Sequence, residues 1–168
     1  MGICAKELRE YVIKPALSHL GEHGATANAA ENLLLGTAAQ ESGLGFHLKV
    51  NRGRGLGIYQ ITPHTHIAIW DKYLIDNPDL ASSVRGLASQ QEFLTRPHAE
   101  LATNLSYATA IAWMIYRRAE KPLPAANDLP ALAQFWLRHF NHRNAATAAD
   151  FCSTYKRFIS DKPNNLAA

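Results

Sequence analysis

The chain has 168 residues, 47% of them hydrophobic and 18% charged, with a formal net charge of +3. That size supports one domain with a real core, and that composition excludes an intrinsically disordered chain. No stretch approaches the ~20 apolar residues of a membrane span, and no Lys/Arg block marks a nucleic-acid surface.

Ala and Leu together number 47, against 13 for Val and Ile. This favours helix over sheet, because β-branched side chains lose more χ1 freedom on a helix. In chain order, Glu7 to Leu20 carries a helical apolar stripe interrupted by Pro15, which is expected to kink it. Charges at Lys6, Glu7, Arg9, Glu10 and Lys14 break up any signal-peptide apolar region. A turn over Gly21 to Gly24 leads into a second helix, Ala25 to Glu41, ended by Gly43 and Gly45. Gly45 to Thr62 reads as a glycine-rich loop or short hairpin. Thr62-Pro63 opens a helix to about Tyr73, and Asn77-Pro78 another through Gln91. Pro97 to Thr103 opens the most apolar helix, running to about Glu120, which belongs at the centre of the fold. Lys121 to Pro130 is a proline-rich loop. Leu132 to Phe140 is helical, and Thr147 to Asp150 has capping-box character before a last helix to about Ser160. The expected fold is mainly α, a single domain over 1–168. Cys4 and Cys152 make no disulfide framework and are read as buried free thiols.

Glu41 is the most informative position. Ala30, Leu33, Leu34, Thr37, Ala38 and Glu41 follow helical spacing, so the carboxyl rides the apolar face at the helix's C-terminal end. Partial burial and the negative end of the helix both favour the protonated form, raising the expected pKa. An acid holding its proton near neutrality is what a breaking glycosidic bond needs. Periodicity alone leaves open a Glu that only hydrogen-bonds a loop.

Gln40-Glu41-Ser42-Gly43, a glycine-rich loop, and then Gly57-Ile58-Tyr59-Gln60-Ile61-Thr62-Pro63 resemble the lytic transglycosylase and goose-type lysozyme family. Ala102 to Ala108 is similar to the segment that begins the family's central helix. The resemblance covers roughly residues 30 to 142 and is strongest to the short versions carried by bacteriophages and prophages. It implies a lysozyme-like fold and cleavage of the β-1,4 bond between N-acetylmuramic acid and N-acetylglucosamine in peptidoglycan, without a cofactor. It also implies that Glu41 is the catalytic acid/base, that Ser42 orients it or touches the sugar, and that Gly57 and Gln60 line the cleft. The family's Ala-Ala-Tyr-Asn-Ala-Gly segment is altered. Leu132 to Trp136 matches its first half, and His139 to His142 offers a second register. The tyrosine is replaced by Phe135 or Phe140, Asn141 is the candidate cleft asparagine, and Tyr59 and Tyr107 remain as candidate hydroxyl donors.

No Asp or Glu lies between Ser42 and Trp70, which suits a transglycosylase with one carboxyl rather than a two-carboxylate hydrolase. Asp71 or Glu92 reaching the cleft would make the enzyme a hydrolytic muramidase. A non-catalytic phage protein that keeps the fold for wall binding is the other alternative. The expected partner is the peptidoglycan glycan strand, met as a monomer, with no nucleic acid and no membrane insertion. Without a signal peptide, access to the wall would come through a holin, a virion or a secretion device. His64/His66 and His139/His142 are too few for a zinc site and are expected at the cleft or surface. Trp70, Trp113 and Trp136 are expected in the core.

Overall fold

The computed structural model describes residues 2–49, 54–141 and 145–160. Helix α1 runs over 5–19 and passes through a π-helical stretch, Arg9–Ile13. Pro15 lies just beyond that stretch, where the wider turn absorbs its missing N–H. The apolar face stays continuous, with Leu8, Ile13, Ala16 and Leu17 all buried.

Helix α2, Gly24–Ser42, is the longest. Helix α3, Pro63–Lys72, starts as the sequence suggests, with Pro63 in its first turn and the Thr62 hydroxyl accepting the Thr65 N–H. A 3₁₀ turn, Leu74–Asp76, leads to α4, Pro78–Leu87. The single helix expected over 77–91 is two, because Ser89 caps a new one, α5, Gln90–Thr95. After a 3₁₀ turn at Pro97–Ala99 come α6, Glu100–Thr103, and α7, Leu105–Arg117. The continuous helix expected here is broken at Asn104. Its side chain accepts the Tyr107 N–H and donates to Leu87 O and Glu100, so local hydrogen bonds displace the helical ones. Helix α8, Leu129–His139, begins earlier than expected, capped by Asp128 with Pro130 inside its first turn. The capping box of Thr147 and Asp150 forms and starts α9, Ala148–Tyr155, which continues as a π-helical turn, Lys156–Ser160.

The protein is mainly helical, and among the described residues no strand forms. The 45–62 segment holds one isolated bridge, in which Leu56 and Ile61 exchange both backbone hydrogen bonds, at 3.0 and 3.1 Å. Helix α7 is the hub. All ten residues from Tyr107 to Tyr116 are buried, and α1, α2, α3 and α4 pack around it. Helix α9 closes the other side against α2 and α8. Trp113 and Trp136 are core residues, while Trp70 is half-buried at the core's edge. Both cysteines are free, but Cys4 is exposed and Cys152 only half-buried, which corrects the expectation of buried thiols. Cys4 immediately precedes α1, outside its apolar stripe. Among the described residues no helix is long and apolar enough to cross a membrane.

Candidate active site

Glu41 sits in the last turn of α2, half-buried, above the buried row of Ala30, Leu33, Leu34, Thr37 and Ala38. The helix ends there because Gly43 takes a left-handed conformation, φ +60°, which carries little steric cost without a Cβ. Leu44 follows at φ +57°, and its N–H returns to Ala38 O at 3.1 Å. The chain is thereby turned back under the helix end, and Glu41 is left at its rim.

Glu41 forms one wall of a pocket of 210 Å³. Gln60, Thr62 and Thr65 come from the 56–61 bridge and the start of α3; Phe140 and Asn141 come from the end of α8. Ile115 of α7 and the exposed Arg54 complete it. Three segments far apart in sequence thus meet around one carboxyl. Among the described residues lining the pocket, Glu41 is the sole acid. Glu92 pairs instead with Arg96 at 2.8 Å on the surface, and the exposed Asp71 does not line the pocket.

Of the residues singled out from the sequence, Glu41, Gln60 and Asn141 are brought together. The other four point elsewhere. Ser42 is buried; its hydroxyl donates to Ile58 O at 2.6 Å and accepts the Gly45 N–H at 2.8 Å. It ties the helix end to the 57–60 turn and does not line the pocket. Gly57, at φ +72°, lies against α6 so closely that a Cβ would stand 1.6 Å from Leu101 O. Its glycine serves backbone packing rather than sugar approach. Tyr59 is fully buried with its hydroxyl 3.1 Å from that of Thr109, and burial pushes its phenol well above the usual range. Tyr107 is also fully buried: its hydroxyl accepts the Trp70 indole N–H at 2.9 Å and meets His66 Nε2. Neither tyrosine can reach a ligand in this pocket, because each hydroxyl is buried beneath helices.

Gln60 has two duties. It lines the pocket, yet it is buried at 6% exposure and its amide nitrogen donates to Gly57 O at 2.8 Å and Leu48 O at 3.2 Å. The side chain therefore clamps the loop, which the reading of a cleft amide alone did not include. Asn141 donates to Ala146 O at 3.1 Å, so it also shapes its own loop.

Phe140 and Asn141 line the pocket and Phe135 does not. Beneath Phe140 lies Tyr116, stacked at 5.3 Å between ring centroids. The Tyr116 hydroxyl is 2.6 Å from that of Thr37. Its phenol is pushed far up by burial, with the Glu41 charge adding to the effect. Arg54, Thr65 and Ile115 were not foreseen as site residues. Nothing in the spacing of Arg54 ties it to Glu41.

The histidines do not behave as a set. His66 is buried, hence neither at the cleft nor at the surface as expected, with Nδ1 2.9 Å from His98 Nδ1. Trp70 donates to Tyr107, which leaves the Tyr107 proton for His66 Nε2 and makes His66 Nδ1 the donor to His98. Burial, and next the His98 ring, lower the His66 pKa to about 4. His64 is exposed on α3. His139 packs its ring on Phe135 at 4.4 Å, and His142 lies outside the described residues. Among the described residues, no three His, Cys, Asp or Glu side chains gather as metal ligands.

No protein-family model, curated protein or solved structure matches the chain.

Proposed function

We propose that the chain is a peptidoglycan-cleaving glycosidase of lysozyme-like fold, working as a lytic transglycosylase with Glu41 as its one catalytic acid/base. The observation that carries the reading is the pocket itself. Glu41 shares it with Gln60 and Asn141, three of the seven residues singled out for the site from the sequence, and no second carboxylate lines it among the described residues.

The chemistry follows from that arrangement. Glu41 donates its proton to the oxygen between the two sugars as the bond to C1 breaks. The resulting carboxylate takes the proton of the muramoyl 6-hydroxyl, whose oxygen closes on C1. The products are a 1,6-anhydromuramoyl end and a free 4-hydroxyl, and Glu41 ends protonated, ready for another cycle. This route needs no nucleophilic carboxylate, unlike two-carboxylate glycosidases. Asn141, Thr62, Thr65 and Arg54 supply hydrogen-bonding groups for a polar sugar, and the Phe140 ring offers an apolar surface beside them.

Mass spectrometry of digested peptidoglycan tests the proposal. Anhydromuropeptides, one water lighter than reducing ones, are the expected product. Reducing ends would make the enzyme a hydrolytic muramidase. Intact strands after prolonged digestion would leave a wall-binding protein without catalysis.

A further inference from the structure

The concave surface does not stop at the Glu41 pocket. Thr62 and Thr65 line that pocket on one side, and on the other they line a second hollow of 380 Å³ with His64, Ala68 and Arg118. The two hollows thus adjoin at Thr62 and Thr65, at the start of α3. Arg118 stands at the far end, just past the C-terminus of α7.

Arg118 is half-buried, yet among the described residues its guanidinium makes no hydrogen bond and no ion pair within 4 Å. Its neighbour Arg117 turns to Glu22, at 3.4 Å. Burial alone acts on the Arg118 guanidinium, lowering its pKa, with no carboxylate opposing that effect. A partly desolvated cation without a counter-charge is costly. A guanidinium is also the side chain whose planar fork matches a carboxylate with two parallel hydrogen bonds.

We propose that Arg118 is a specificity residue that receives a carboxylate on the peptide substituent of a glycan strand whose sugar occupies the Glu41 pocket. This rests on the peptidoglycan reading above. In an intact strand the lactyl carboxyl of each muramoyl unit is masked as an amide, so the anions offered to such a residue are the free carboxylates of the peptide. A strand seated in the Glu41 pocket would carry its peptide past Thr62 and Thr65, which border both hollows.

The test compares strands whose peptide carboxylates are free with the same strands after those carboxylates have been amidated, reading the ratio of the two kcat/KM values. The wild-type ratio should be about ten or more, as expected for a charge-assisted contact of about 1.4 kcal/mol. In R118Q it should fall to near one, with R118K between, since lysine keeps the charge and loses the fork. Equal ratios in the wild type and R118Q would overturn the proposal. Should R118Q fail to fold, R118K decides: a wild-type ratio in R118K counts against Arg118. If the wild type cleaves neither substrate, the catalytic reading fails, and Arg118 is judged by binding. A fluorescent disaccharide carrying its peptide should then bind R118Q about tenfold more weakly. An unchanged Kd would overturn the proposal.

Discussion

Replacing Ser42 by Ala removes a single oxygen that holds two separated backbone segments. The hydroxyl proton goes to Ile58 O at 2.6 Å, and a lone pair accepts the Gly45 N–H at 2.8 Å. Ile58 is fully buried, so its carbonyl has no water to turn to, whereas half-buried Gly45 can be partly resolvated. An unsatisfied buried acceptor costs about 1–3 kcal/mol, and a partly rehydrated donor adds a fraction of that. S42A should therefore lose about 2–3 kcal/mol, and at about 2–4 °C per kcal/mol for this chain length its melting temperature should drop by about 4–12 °C. Far-UV circular dichroism melts measure the shift, and cleavage per folded molecule, assayed well below the transition, measures the site. A melting temperature within about 1 °C of wild type, together with lost cleavage, would refute the reasoning. Ser42 would then act on substrate rather than on the fold.

Three further outcomes follow from the site and its surroundings. E41Q keeps the shape of the side chain but has no acid proton to give, so wall cleavage should fall by about 10²–10⁴-fold while the melting curve remains cooperative; near-full activity in turbidity assays would remove Glu41 from the mechanism. Q60A should destabilise by about 1–3 kcal/mol in denaturant titration, because its amide holds the Gly57 and Leu48 carbonyls. This reverses the unchanged stability expected of a glutamine used only for substrate, and an unchanged midpoint would restore that view. His66, with its pKa lowered to about 4 in the fold against about 6.5 unfolded, takes up its proton more readily in the unfolded chain. Its contribution is complete above pH about 6.5 and disappears as pH falls toward about 4, a loss of about 2–3 kcal/mol. H66Q should be less stable than wild type near neutrality but show a shallower decline across that window; parallel declines would show that His66 is not the titrating group.

The helices were legible where apolar spacing and caps agree. Thr62-Pro63 and Thr147–Asp150 announce helix starts, and the unbroken apolar run of α7 announces the hub. Breaks at Ser89 and Asn104 were not legible, because each depends on a side chain bonding to Glu100 across a turn. Ser89 meets Glu100 only once α5 and α6 have folded together, and Asn104 completes its set with Leu87 O, seventeen residues away. At the site, Glu41 could be placed from its position on the α2 stripe. Ser42, Tyr59 and Tyr107 could not be assigned, since a motif names residues without saying which way they face. Each turns inward, to Ile58, Thr109 and the Trp70–His66 pair respectively.

The close approach of Gly57 to Leu101 bears on how such a motif would drift over time. Most of its letters guard joints of the scaffold: Gly57 has no room for a methyl group, Ser42 laces a turn, and the Gln60 amide grips a loop. A descendant that gave up catalysis would still be held to those letters by stability alone. Glu41, half-buried at the rim, is the letter that the proposed chemistry itself would hold. In any collection of such chains, the glycine and glutamine would report a shared scaffold, and the acid would report whether the proposed chemistry is kept.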